Sequence, residues 1–123
     1  MGPRIMNPLQ RLIRAFGYSW QGLCATYKSE WAFRVEVFVA PPMAIIALLL
    51  PVSLAEKALL LTTLALVLLA ELANTAIEAV VNRISDERHE LSGKAKDIGS
   101  AMVLVALVNA GIVWLLILWG CVF

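Results

Sequence analysis

The chain has 123 residues, enough for one domain, and 61% of them are hydrophobic. A soluble domain of this size cannot hide so much apolar side chain, which excludes an ordinary soluble fold and points to an all-α integral membrane protein. Ten basic and nine acidic residues nearly cancel, so net charge gives no reason to expect a nucleic-acid partner.

The first predicted element spans about residues 5–28. Leu9, Leu12, Ile13, Phe16, Trp20, Leu23 and Tyr27 recur at three- and four-residue intervals, with Gln10, Arg11, Arg14 and Gln21 between them. That period gives an amphipathic helix, and a basic one before a membrane span is expected to lie flat in the interface. The other reading packs it against the bundle. Gly17 and Gly22 weaken the helix and are expected to mark a break.

Three apolar runs follow, at 37–52, 58–81 and 98–123. A hydrocarbon core of ~30 Å needs ~20 helical residues, so the second and third runs span it unaided. The first is short and holds Pro41 and Pro42. It spans if its helix begins near Trp31 and carries Arg34 and Glu36 along, or if the prolines kink it where neighbours satisfy the freed carbonyls. Three spans are therefore expected at about 30–52, 57–84 and 97–121, with a polar loop at about 85–96. Ser92 and Gly93 in that loop read as a turn. No short apolar core with a small-residue cleavage site precedes the first run, so the chain is expected to be the mature form.

Orientation follows from Lys and Arg near the span ends. Arg4, Arg11, Arg14, Lys28 and Arg34 precede the first span, and Arg83, Arg88, Lys94 and Lys96 lie between the second and third. The first hairpin holds only Lys57 and the C-terminus holds none. The N-terminus and the second loop are thus expected in the cytoplasm and the C-terminus on the opposite side. Cys24 and Cys121 then fall at opposite membrane faces, which argues against a disulfide within the chain. Trp31 and Trp119 occupy places suited to aromatic belts.

The second span ends in "ELANTAIEAVVN" at 71–82. At 100° per residue Glu71, Asn74, Glu78 and Asn82 share a wedge of roughly 80°, and Glu71 to Glu78 climbs about 10.5 Å. A charge at mid-membrane costs at least ~2.5–3.5 kcal/mol, so this face must meet protein, a metal or water. Ala73, Ala76 and Ala79, with Ala106 and Ala110 in the third span, allow close helix approach. Three spans enclose a polar cavity poorly, so a homo-oligomer with sites between helices or subunits is expected.

The chain lacks a GxxxxGK[ST] loop and a GxGxxG fingerprint, which excludes the soluble kinase classes. His89 has no second histidine at HExxH spacing, and a lone histidine on a polar loop is read as solvated. Carboxylates near the interface, with Lys94 and Lys96 beyond them, suit phosphoryl transfer, which needs oxygen ligands for Mg²⁺, cations for phosphates and a base for the attacking hydroxyl. The same stripe suits a cation or proton pathway. A third reading makes Glu71, Asn74 and Glu78 interhelical hydrogen-bond glue.

"ELANTAIEAVVN" resembles the E-x-x-N-(S/T)-A-I-E-x-x-V-D signature of the small bacterial membrane lipid kinases, the prokaryotic diacylglycerol and undecaprenol kinase family. "AFGYSWQGL" at 15–23, "SEWAFRVE" at 29–36 and "HELSGKAKDIGSA" at 89–101 resemble the diacylglycerol kinase branch in order and spacing. The resemblance covers nearly the whole chain, with the first span its weakest part. It implies a homotrimer of three-span subunits in the bacterial inner membrane, each with an N-terminal surface helix. The implied activity is transfer of the γ-phosphate of MgATP to diacylglycerol, giving phosphatidic acid at the cytoplasmic surface. Undecaprenol kinase is the alternative within the family, and a small oligomeric cation or proton transporter the alternative outside it.

The resemblance also implies roles. Glu71 matches the general base, and Glu78 and Glu30 match the carboxylates that hold Mg²⁺ on ATP. Asn74 orients phosphate or base, Lys96 neutralises phosphate charge, and Asp97, Arg11 and Tyr18 lie on the nucleotide side. Beside these stand plainer readings: Glu30 and Arg34 as an i,i+4 ion pair of ~0.2–0.5 kcal/mol, Tyr18 as a belt aromatic, and Arg34 and Glu36 as anchors or pairing partners inside the trimer. The signature departs from the family at Asn82, where an amide replaces Asp and removes its charge.

Overall fold

A computed structural model describes residues 5–84, 87 and 89–123. Arg4 and Arg88, both counted above for orientation, lie outside the described residues. Among those described, four α-helices follow one another: α1 (Pro8–Ser29), α2 (Trp31–Leu49), α3 (Leu54–Ile84) and α4 (Glu90–Val122). The last three are long and apolar enough to cross a membrane.

Among the described helices α1, α3 and α4 begin at a side-chain cap, while α2 begins at Glu30 without one. Asn7 accepts a hydrogen bond from the Gln10 amide at 2.8 Å while the Gln10 side chain accepts from the Asn7 amide at 3.4 Å, with Pro8 at the first helical position. This reciprocal pair satisfies backbone donors that a helix start leaves free. Ser53 and Glu56 do the same for α3, through the Glu56 amide to Ser53 Oγ at 3.1 Å and the Ser53 amide to Glu56 Oε1 at 3.2 Å. His89 caps α4: its Nδ1 accepts from the Leu91 amide at 3.1 Å. The lone histidine, expected simply in solvent, therefore sets where α4 starts. Because of that cap α4 begins at Glu90, and Ser92 and Gly93 are helical rather than a turn.

The break expected at Gly17 and Gly22 is likewise absent. A glycine in a helix costs only about 1 kcal/mol. In α1 the capping box and the Thr26 hydroxyl, which donates to the Gly22 carbonyl at 2.8 Å, keep the turns continuous.

Of the two ways the short run could span, the chain takes the first: α2 starts at Trp31 and carries Arg34 and Glu36 with it. It also runs through Pro41 and Pro42, whose missing amides leave the carbonyls of Val37 and Phe38 without their helical donors. Arg34 does not pair with Glu30. Its Nη1 donates to the carbonyls of Tyr27 and Lys28, both at 2.9 Å, and so closes the C-terminus of α1 onto the start of α2. A guanidinium there also complements the negative helix end.

The three long helices are fastened at the end where α2 turns into α3. Ala47, Leu60, Trp114 and Ile117 form the buried core there. Trp114 Nε1 donates to Thr63 Oγ1 at 3.0 Å, and that hydroxyl donates to the Leu60 carbonyl at 2.6 Å, so the indole enters the core with its polar atom satisfied. Lys57 Nζ reaches back to the Leu48 carbonyl at 2.6 Å and closes the hairpin. Toward the opposite end burial thins to Phe33, Val67, Glu71, Val81, Gly99 and Ala106. That looser end holds the polar residues.

Candidate active site

The polar stripe of α3 faces a crevice with α2 on one side and α4 on the other. Glu71 is 6% exposed, deep for a carboxylate. Glu36 on α2, whose Oε2 is buried without a hydrogen-bond partner, lies near enough for the two carboxyls to act on each other. Glu30, at the joint between α1 and α2, and Glu78, two turns along α3, both lie close enough to act on Glu71 through their charge. Four carboxylates thus surround one end of the crevice, which is expensive in a membrane unless protons, a metal or a ligand's cations offset them.

Asn74 links this cluster to α4. Its Nδ2 donates to Glu78 Oε1 at 3.4 Å, while its buried Oδ1 has no hydrogen-bond partner. The reason α4 comes so near is Gly99. A Cβ built there would fall on Asn74 Oδ1, and would stand 3.3 Å from Asn74 Cγ and 3.7 Å from its Cα. Only a residue without a side chain lets the α4 backbone close on the amide. Lys96 and Asp97 are exposed in the α4 turn just before Gly99; Lys96, three residues back, lies on the Gly99 side of the helix, whereas Asp97 lies on the other side. Thr75 turns away and donates to the Glu71 carbonyl at 2.8 Å.

Not every predicted residue joins this group. Arg11 and Tyr18 are exposed on α1, Tyr18 by 67%, with no side-chain hydrogen bond to the carboxylates. Asn82 is exposed at the end of α3. Glu36 and Gly99, in contrast, belong to the site although the sequence reading did not place them there. Glu36, expected to anchor or to pair inside the trimer, lies near Glu71 of its own chain. A signal was present: the cost of a charge in an apolar run applies to Glu36 as much as to Glu71.

From Glu36 an apolar cavity of about 240 Å³ runs between α2, α3 and α4 toward Trp114, lined by Val39, Met43, Leu64, Val67 and Ala110 among others. Glu36 is the one charged residue in its lining. One carboxylate, Glu36, thus stands at the edge of an apolar chamber.

Among the described residues no three His, Cys, Asp or Glu side chains converge tightly enough to hold a metal on their own. Mg²⁺ seldom asks for that: it takes one or two carboxylates and completes its shell with phosphate oxygens and water. Glu30 and Glu78 are hard oxygen donors of this kind, so the donor set fits a nucleotide-bound Mg²⁺ better than a resident metal.

Comparison with known proteins identifies the setting. Residues 17–118 match the family model of prokaryotic diacylglycerol kinase. The diacylglycerol kinase of Escherichia coli (strain K12) is 49% identical over 110 residues, covering 89% of this chain and 90% of that protein. Those of Haemophilus influenzae, 47% identical over 106 residues (86% of this chain, 90% of the relative), and Pseudomonas aeruginosa, 46% over 112 residues (91% of each), agree. A match of this extent, running through the capped helices and the carboxylate crevice alike, makes the chain a member of the prokaryotic diacylglycerol kinase family.

Proposed function

We propose that this protein is a membrane-embedded lipid kinase that transfers the γ-phosphate of MgATP to the primary hydroxyl of diacylglycerol, giving phosphatidic acid. The observation that carries this reading is the buried Glu71 on the α3 face that also carries Asn74 and Glu78, with an apolar cavity beginning at Glu36 and Lys96 and Asp97 exposed early in α4. A lipid acceptor reaches Glu71 from the membrane side and a nucleotide reaches Lys96 from water. An ion pathway would have use for Glu71 and Glu78 but none for Lys96 and Asp97. Undecaprenol is the weaker acceptor choice, since the relatives above are named diacylglycerol kinases.

Glu71 acts as general base. It takes the proton of the acceptor hydroxyl as that oxygen bonds to the γ-phosphorus and the bond to the ADP oxygen breaks. Asn74, anchored against Gly99, orients the phosphate or the base. Glu30 and Glu78 hold Mg²⁺, which when bound offsets the charge of the phosphate oxygens. Lys96 adds a cation at the same phosphates, and Asp97, Arg11 and Tyr18 lie on the nucleotide side, the last two carried by α1 as a cover. That cover forms when α1 lies in the membrane interface, its exposed Leu9, Leu12, Phe16 and Trp20 toward lipid.

The site is completed in a homotrimer. A single chain exposes 9476 Å², against about 6,500 Å² for a compact soluble monomer of its mass. Its small face at Ala73, Ala76 and Ala79 also remains open within the chain, ready for close helix approach. The setting proposed is a bacterial inner membrane, with the N-terminus and the loop between α3 and α4 on the cytoplasmic side and the C-terminus periplasmic, a reading that the distribution of Lys and Arg supports.

Glu78→Gln tests the ligand assignment. It should lower kcat at least about 100-fold, the loss typical when a group supporting transition-state charge is removed, and raise the Mg²⁺ requirement. Unchanged activity with an unchanged Mg²⁺ dependence would remove Glu78 from the metal.

A further inference from the structure

A second apolar groove lies in the bend between α1 and α2. Glu30 is extended there (φ −114°, ψ 109°), which ends one helix and lets the chain turn before the next. Trp20, Leu23, Cys24 and Tyr27, at helical intervals on α1, line a cavity of about 390 Å³ together with Phe33 and Val37 of α2. The Tyr27 ring leans on Phe38, with centroids 6.4 Å apart, and so joins the two helices beside the groove. One residue in the lining is charged, Lys28. Its ammonium is exposed and makes no hydrogen bond or ion pair among the described residues. Arg34 brings a second positive charge to the same joint, since its Nη1 bonds the carbonyls of Tyr27 and Lys28. Glu30, the carboxylate of the joint, is absent from the groove's lining.

We propose that this groove binds one anionic phospholipid, with an acyl chain between α1 and α2 and the phosphate on Lys28. The walls decide between occupants. Apolar side chains with a single free cation at one end match an amphiphile with a negative head. Ordered water needs polar partners that these walls lack. A helix of a second copy, about 10 Å across, would take roughly 800 Å³ over the length from Trp20 to Tyr27, about twice what the groove holds. The direction is also right for a lipid. With α1 in the interface, Lys28 stands level with the head groups while Phe33 and Val37 follow α2 toward the hydrocarbon, so charge and chain are met in the order a phospholipid presents them. The inference rests on that interfacial placement of α1 and not on the transfer reaction. Lys28 in the last turn of α1 also complements the negative helix end, but that role calls for no apolar groove beside it. A lipid held here stakes the C-terminal end of α1 to the bilayer.

The test titrates purified protein in a neutral detergent with phosphatidylglycerol, or with phosphatidylcholine as the control of zero net charge, and follows the first lipid bound by native mass spectrometry. The parent should hold phosphatidylglycerol about fivefold more tightly than phosphatidylcholine, the preference that one lysine gives at a charged membrane surface. Lys28→Gln should abolish that preference and Lys28→Arg should keep it. Val37→Trp fills the groove and leaves the charge, and should weaken both lipids about tenfold, the effect of shutting out two buried methylenes. Excess inorganic phosphate should leave the phosphatidylglycerol bound. The proposal is overturned by no preference in the parent, by a preference that survives Lys28→Gln, by displacement with inorganic phosphate, or by unchanged binding in folded Val37→Trp. Lys28→Gln alters an exposed side chain alone, so its result decides the matter even where Val37→Trp fails to fold. No ATP is present, so the outcome stands apart from success or failure of the kinase reading.

Discussion

At the scale of single residues, the site depends on one missing side chain. Gly99 lets α4 rest on the Asn74 amide, and Gly99→Ala puts a methyl group where Oδ1 now sits. The group that must yield is the far end of a side chain, and alanine is a better helix former by about 1 kcal/mol. Stability should therefore change little. Activity should not survive as well, because moving a positioning group by about 1 Å costs on the order of 100-fold. Thermal unfolding beside kcat checks this pairing: a large loss of stability, or full activity, would count against it. Glu71, Asn74 and Glu78 were legible in sequence from helical periodicity alone, since one helix places them. Glu36 and Gly99 were not, because their meaning comes from which neighbouring helix each one meets, and periodicity within a helix carries no such information.

At the scale of elements, helix starts were decided by caps that a chain pattern only partly reveals. Asn7 with Gln10 and Ser53 with Glu56 form reciprocal pairs at three-residue spacing, a pattern visible in sequence. His89 is different: as an N-cap it extends α4 back to Glu90 and makes helix of an apparent turn at Ser92 and Gly93. Arg34 shows the same limit. An i,i+4 pair with Glu30 was the plain local reading, but the guanidinium closes α1 instead and leaves Glu30 unpaired by it. Arg34→Leu should therefore loosen the joint between α1 and α2, with a cost of about 1–2 kcal/mol for charged hydrogen bonds to carbonyls that lie partly in water. Faster amide exchange in the last turn of α1, with the α3 and α4 core unaffected, is the expected result. Unchanged protection there would show that the cap contributes nothing.

At the scale of the whole molecule, the three long helices are fastened around Leu60 and Trp114, and at the carboxylate end, where fewer side chains are buried, Gly99 still brings α4 against Asn74. The apolar composition announced a membrane protein, but not where its helices would lock together; that follows from where the large side chain of Trp114 and the missing one of Gly99 fall on α4. The large exposed surface of one chain should be covered by two further copies. Mass measurement in mild detergent should give three times the 13.4 kDa of the chain, and a monodisperse monomer with full activity would contradict the trimer.

The most direct test of the account is phosphate transfer itself. Purified protein in lipid or detergent, shown to be folded by its helical content, is given labelled ATP, Mg²⁺ and diacylglycerol. The account predicts labelled phosphatidic acid, lost on chelation of Mg²⁺ and lost in Glu71→Gln. Folded protein that transfers no label to diacylglycerol, with Mg²⁺ present, would contradict it.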